Sequence, residues 1–254
     1  MRPPVVGHLV CHVLLVESPK GLVLVDSGFG LAALADPRRL VGPVAPMMRL
    51  ARDPAETALH QVQALGFRRE DVEHVVLTHL DADHVGGIAD FPDAVVHTTA
   101  VELNTAQAPP TRAERGRYRP VLWAHGPRWR RYEGADARPW NRFDAAHPLE
   151  GLDGFALVPM PGHTRGSAAV AVDTGDGLLV HAGDAAFHRS TLAGPTSPRL
   201  DRRPRRAVLA MEQLLAVDRG QVRANHARLA ELAATDGVDV VLAHDPVLLE
   251  RYRG

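Results

Sequence analysis

The stretch Thr78-His79-Leu80-Asp81-Ala82-Asp83-His84-Val85-Gly86-Gly87 places four side chains able to bind a metal within six residues. It follows the apolar run His74-Val75-Val76-Leu77, which reads as a strand. Imidazole and carboxylate are ligands for Zn²⁺ and for harder first-row metals. Such a cluster at the end of a buried strand is costly unless its charge and its polar atoms find compensation. A plain strand-to-helix turn, with Asp83 as cap and both histidines solvated, is the alternative. The downstream sequence argues against it. His163 follows Phe155-Ala156-Leu157 within Val158-Pro159-Met160-Pro161-Gly162-His163-Thr164. Asp184 closes Leu178-Leu179-Val180-His181-Ala182-Gly183-Asp184, and His244 ends Val238-Asp239-Val240-Val241-Leu242-Ala243-His244. Each piece alone is a weak signal. Four in this order point to a fold that gathers strand ends at one edge.

In these motifs the chain resembles the metallo-β-lactamase-fold hydrolases, with their H-x-H-x-D-H run, lone His, bridging Asp and last His. The resemblance extends from the early turn Asp26-Ser27-Gly28 to His244. Within the family it most resembles the lactonase-like branch, including N-acyl homoserine lactonases. It implies that His79, Asp81 and His163 hold one metal, that Asp83, His84 and His244 hold a second, and that Asp184 bridges them. It also implies a four-layer αβ/βα sandwich: two mixed β-sheets with helices on the outer faces, of α/β (α+β) class. Asp26 is then placed to orient a ligand histidine through its free ring nitrogen.

Two departures stand out. The family's second histidine is Asp81 here, giving H-x-D-x-D-H. A carboxylate still binds Zn²⁺, but it is harder and adds negative charge, which opens the site to Mn²⁺ or iron. Flavodiiron proteins of the same fold also carry a carboxylate there. Quorum-quenching lactonases place a tyrosine a few residues beyond the bridging Asp, whereas here Asp184 leads into Ala185-Ala186-Phe187-His188. Phe187 donates no hydrogen bond. Either His188 or a residue of the 105–147 segment replaces that donor, or the substrate is different.

Two divalent ions, zinc in the first instance, lower the pKa of a shared water far enough to yield hydroxide near neutral pH. The expected reaction is attack of that metal-bridging hydroxide on a lactone or a related ester, with Asp83, Asp184 and His188 as the catalytic side chains. No G-x-S-x-G elbow offers a protein nucleophile. A same-fold hydrolase of a thioester, β-lactam or phosphodiester, and a diiron redox or metal-binding protein, are the competing readings.

A chain of 254 residues, 45% hydrophobic and 23% charged, is of ordinary soluble composition. It reads as one domain over 1–254 with an irregular insertion at about 105–147, rich in Pro, Arg and aromatic residues. Trp123 and His125 of that insertion are candidate substrate contacts. Val44, Met47, Met48 and Leu50 form a candidate apolar wall. A net charge of −1 gives no case for nucleic acid or a membrane surface. The expected partner is a small-molecule substrate, and the residues carry no sign of oligomeric state. Cys11 is the only cysteine, which is compatible with a reducing, cytoplasmic setting. Its apolar neighbours make it read as a buried structural thiol. Leu9–Val16 and Gly21–Asp26 read as a hairpin; His8 and His12 share a face of its first strand, and the N-terminal stretch lacks the features of a secretory signal.

Overall fold

The structure is a computed structural model that describes residues 9–192 and 202–252. The chain opens with a hairpin of β1 (Leu14–Ser18) and β2 (Gly21–Val25), closed by Ser18 Oγ donating to Gly21 O at 2.7 Å. Strands β3 (Val72–Val76), β4 (Val95–Thr99) and β5 (Arg128–Tyr132) then add in parallel to β2, in the order β1-β2-β3-β4-β5. The second sheet contains β6 (Arg138–Trp140), β7 (Phe143–Pro148), β8 (Phe155–Pro159), β9 (Ala168–Asp173), β10 (Leu178–His181) and β11 (Val238–Val241). Its order is β11-β10-β9-β8-β7-β6, antiparallel throughout except for the parallel pair β10–β11.

Short helices α1 (Leu31–Ala35), α2 (Pro37–Leu40), α3 (Ala45–Met48) and α4 (Ala58–Ala64) follow β2. Helix α5 (Ala82–Val85) carries part of the opening motif, and α6 (Ala100–Gln107) and α7 (Arg112–Arg117) lie between β4 and β5. Helix α8 (Arg189–Leu192) follows β10; α9 (Arg202–Leu215), α10 (Arg219–Ala233) and α11 (Pro246–Tyr252) frame β11.

Strand alternation sorts the side chains into three cores. On β2, Leu22 and Leu24 face one helical layer, while Val23 and Val25 face the other sheet. On β9, Val170 and Val172 join that inter-sheet core, while Ala169 and Ala171 pack with Leu229 of α10. The layers are therefore helix, sheet, sheet, helix, as expected. Among the described residues no helix is long and apolar enough to cross a membrane.

The fold gathers the motifs as the strand-end argument requires. Strands β8, β10 and β11 run in one direction, and the segments leaving their C-terminal ends carry His163, Asp184 and His244. The segment leaving β3 meets them across the sandwich, where Ala168 N donates to Thr78 O at 3.0 Å.

Two expectations need revision. Residues 9–13, read as strand, instead cross the strand ends, with His12 N donating to Ala243 O at 2.8 Å. The 105–147 segment is not irregular: it supplies α7, the edge strand β5, β6 and most of β7. Its pattern hid this because β5 is an edge strand, with Arg128, Arg130 and Arg131 exposed while Tyr132 turns inward.

Candidate metal centre

Seven side chains converge where the two sheets meet. His79, Asp81, His163 and Asp184 form one group of donor atoms, and His84, Asp184 and His244 form another, each within 4.8 Å. Asp184 belongs to both. Its Oδ2 lies 3.7 Å from His79 Nε2 and 3.2 Å from His163 Nε2. Its Oδ1 lies 3.2 Å from His84 Nε2 and 2.9 Å from His244 Nε2. Asp81 Oδ2 sits 2.9 Å from His163 Nε2 and 3.5 Å from His79 Nε2. Asp83 Oδ2 sits 3.8 Å from His84 Nε2 and 3.7 Å from His244 Nε2. Glycine makes this approach sterically feasible: a Cβ on Gly183 would come within 2.7 Å of Thr78, and φ is +51° there.

The surrounding chain holds three of the imidazoles by the other nitrogen. His84 Nδ1 lies 2.8 Å from Asp26 Oδ2, which fixes that nitrogen as the donor. Thr78 donates to Asp26 through both N and Oγ1, at 2.8 Å each, so Thr78 Oγ1 accepts from His79 Nδ1 at 3.0 Å. His244 Nδ1 donates to Val10 O at 2.7 Å. Each assignment directs an Nε2 lone pair into the cluster. Buried His79 Nε2, His84 Nε2, Asp81 Oδ1 and Asp184 Oδ1 have no aligned hydrogen-bond partner. Buried polar atoms left so are costly, and cations on the two sides of Asp184 would satisfy His79 Nε2, His84 Nε2 and Asp184 Oδ1. The donor set fits a pair of divalent ions.

Electrostatics agree with that fit. Burial pushes the Asp184 carboxyl up, but His244, His84 and His163 outweigh it and hold it well below the usual carboxylate range. Burial likewise opposes ionisation of Asp81, and Arg117 and His163 outweigh it. Burial lowers His84 and His244, yet their carboxylate neighbours, Asp184 foremost, raise both well above the ordinary histidine value. A cation entering here displaces those protons, so its affinity rises with pH.

Several residues that motif spacing did not single out shape the site. Arg117 places Nε 3.5 Å from Asp81 Oδ1 and donates from Nη1 to His163 O at 2.6 Å, so a fixed cation stands beside the extra carboxylate. Glu102, fully buried, accepts from Leu80 N (3.0 Å), Tyr118 OH (3.2 Å), Thr164 Oγ1 (2.7 Å) and Gly166 N (3.1 Å). It thereby ties the segment after β3 to the segment after β8. Phe187 packs edge-on to His163 and His244, with ring centroids 5.5 and 5.0 Å away, and its N donates to Glu212 at 2.6 Å. Cys11, read as structural, is a half-buried residue whose thiol points at Asp83, with Sγ 4.0 Å from Oδ2.

Other candidates are not brought into the cluster. His188 places its ring beside Ser190 Oγ (2.9 Å) and Asp245 Oδ2 (3.6 Å). Trp123 packs on the core of the first sheet, and His125 is exposed. Val44 and Met48 are exposed; the side chain of Met47 and all of His8 lie outside the described residues. His12 is buried against His181, whose Nε2 donates to the His12 carbonyl at 3.0 Å.

Residues 6–244 match the metallo-beta-lactamase superfamily. The chain belongs to that superfamily. A probable metallo-hydrolase of Mycobacterium tuberculosis is 49% identical over 248 residues, covering 96% of this chain and 77% of the relative. An N-acyl homoserine lactonase, AttM, of Rhizobium johnstonii is 27% identical over 252 residues, covering 98% of this chain and 85% of the relative. Among solved structures, AidC, a dizinc quorum-quenching lactonase in complex with a product, superposes with a TM-score of 0.61 at 19% identity, over 94% of this chain and 73% of that one. The chain is a metal-dependent hydrolase of this fold.

Proposed function

We propose that the chain is a dinuclear hydrolase that opens a lactone or cleaves a related carboxylic ester. The observation that carries this is the split of the Asp184 carboxylate, one oxygen facing His79 and His163 and the other facing His84 and His244. In this reading His79, Asp81, His163 and Asp184 hold one cation, and Asp83, His84, His244 and Asp184 hold the second. Zinc suits a set with four imidazoles, and Asp81 admits manganese or iron at the first position. The bound cations supply an activated water and a Lewis acid for the scissile carbonyl.

The chain's own residues supply the rest. Asp83 would accept a hydrogen bond from the attacking water and aim it at the carbonyl carbon, taking that water's proton as the new C–O bond forms and giving it to the alkoxide as the ester C–O bond breaks. Asp26, Thr78 and the Val10 carbonyl keep three Nε2 lone pairs inward through turnover. Phe187 shields the edges of His163 and His244 from solvent and donates nothing to a developing oxyanion. Arg117 offsets the charge of Asp81. The likeness to lactonases in sequence and fold supports a cyclic ester as substrate.

A panel of lactones, aryl esters, thioesters and phosphodiesters, assayed after reconstitution with Zn²⁺, Mn²⁺ or Fe²⁺, tests this. Lactones or esters should turn over fastest. Turnover confined to thioesters or phosphodiesters would overturn the substrate class, and two redox-active irons with no hydrolysis would overturn the activity.

A further inference from the structure

The sequence holds one thiol, and the structure does not bury it in a core. Cys11 lies in the segment that crosses the strand ends, between two anchors: Val10 O accepts from His244 Nδ1 at 2.7 Å, and His12 N donates to Ala243 O at 2.8 Å. The same backbone thus orients His244 and presents the neighbouring Sγ. Cys11, Asp83 and His244 each offer one atom, all within 4.8 Å of one another. Asp83 Oδ2 is the shared neighbour, 4.0 Å from Cys11 Sγ, 3.8 Å from His84 Nε2 and 3.7 Å from His244 Nε2. Neighbouring donors around one five-coordinate zinc, with bonds of about 2.0–2.3 Å, stand roughly 3–4 Å apart. The three separations from Asp83 Oδ2 lie at the upper end of that range. A second observation points to a ligand at the same place: His84 Nε2 and Asp184 Oδ1, on side chains at least nine-tenths buried, face this pocket without an aligned partner.

We propose that Cys11 is a further ligand of the second cation, alongside Asp83, His84, His244 and Asp184. This rests on the dinuclear reading above and deepens it. On binding, the thiol proton passes to solvent and a sulfur–metal bond forms, with no change of oxidation state. The two positions then differ in character. The first, with Asp81, is the harder; the second, with sulfur, is the softer and favours zinc or cobalt over manganese. The sequence pattern that brought Asp81 to one side is matched by a thiolate on the other.

Cobalt(II) reports this directly, because thiolate ligation gives a near-ultraviolet sulfur-to-cobalt charge-transfer band that carboxylate and imidazole do not. The metal-depleted full chain is titrated with Co²⁺, followed by absorption and by alkylation of the single thiol. The band should rise with the second equivalent, and alkylation should slow at the same point and recover on chelation. Cys11→Ala should lack the band and bind the second equivalent at least about tenfold more weakly. Cys11→Ser, which keeps a donor of similar size, should lack the band yet fold normally. Two cobalt ions bound with no such band, and with alkylation unaffected, would overturn the Cys11 assignment and leave the dinuclear reading standing. Failure of wild type to take up a second equivalent would overturn both.

Discussion

Asp26→Asn is the substitution that most sharply separates an orienting carboxylate from a merely buried one. Asp26 accepts from Thr78 N at 2.8 Å and lies 2.8 Å from His84 Nδ1. An asparagine keeps the shape, and its oxygen must stay on Thr78 N. Its amide then presents N–H to His84 Nδ1, which drives the ring proton to Nε2, 3.2 Å from Asp184 Oδ1 and aimed into the metal position. Restoring the ligating tautomer sets two donors against each other in a buried place, at a cost of about 1–3 kcal/mol. At about 1.4 kcal/mol per tenfold, the second cation should bind roughly 10–100-fold more weakly, the range typical for such supporting carboxylates. The first cation, held by His79, Asp81 and His163, should lose far less. Competition against a chromophoric chelator resolves the two equivalents, and imidazole nitrogen shifts report the tautomer. Wild-type affinity for both cations, with the His84 proton still on Nδ1, would refute this reasoning.

Three other outcomes are expected. Asp184→Asn leaves one amide oxygen in place of two carboxylate oxygens, so turnover should fall by at least about a thousandfold, 4 kcal/mol in barrier terms, and a stoichiometry assay should find fewer than two cations bound. Glu102→Ala strands buried donors on Leu80, Thr164 and Gly166; at about 1–3 kcal/mol each, and less than additive, urea unfolding should show a loss of roughly 3–5 kcal/mol. Acid should destabilise the fold through His12 and His97: burial lowers His12 to about 4, with His181 adding to it, and lowers His97 to about 3, with His74 and Arg130 adding. An unfolded histidine binds its proton near pH 6.5, so this contribution is complete above that value and is lost as pH falls from 6.5 toward 3–4. Urea titrations of His97→Gln should show a flatter pH dependence across that window.

The pieces of the site that sequence exposes are those whose residue type is anomalous for their setting. His79, Asp83 and His84 directly after an apolar strand, or His163, Asp184 and His244 after other strands, demand an explanation that ordinary turns do not supply. The layered fold was legible for a related reason, since β2 and β9 carry the apolar runs Leu22–Val25 and Ala168–Val172, suited to burial on both faces. The missed residues each had a sufficient local alibi. Glu102 stands three residues after Thr99, whose Oγ1 accepts from Glu102 N at 3.2 Å, so it reads as part of a helix cap. Its side chain instead serves a neighbouring loop. Arg117 is one arginine among many in its segment, and only its approach to Asp81 distinguishes it. Cys11 sits among valines and leucines, which reads as core until the chain is seen to leave the sheet. His188 follows Asp184 by four residues in sequence, and its ring lies beside Ser190 and Asp245 at the start of α8.

The most direct test is a structure of the zinc-loaded chain with anomalous scattering at the zinc edge. It should reveal two cations about 3.5–4 Å apart, one oxygen of Asp184 on each, with His79 and His163 on one side and His84 and His244 on the other. A single cation, or two that share no contact with Asp184, would contradict the account.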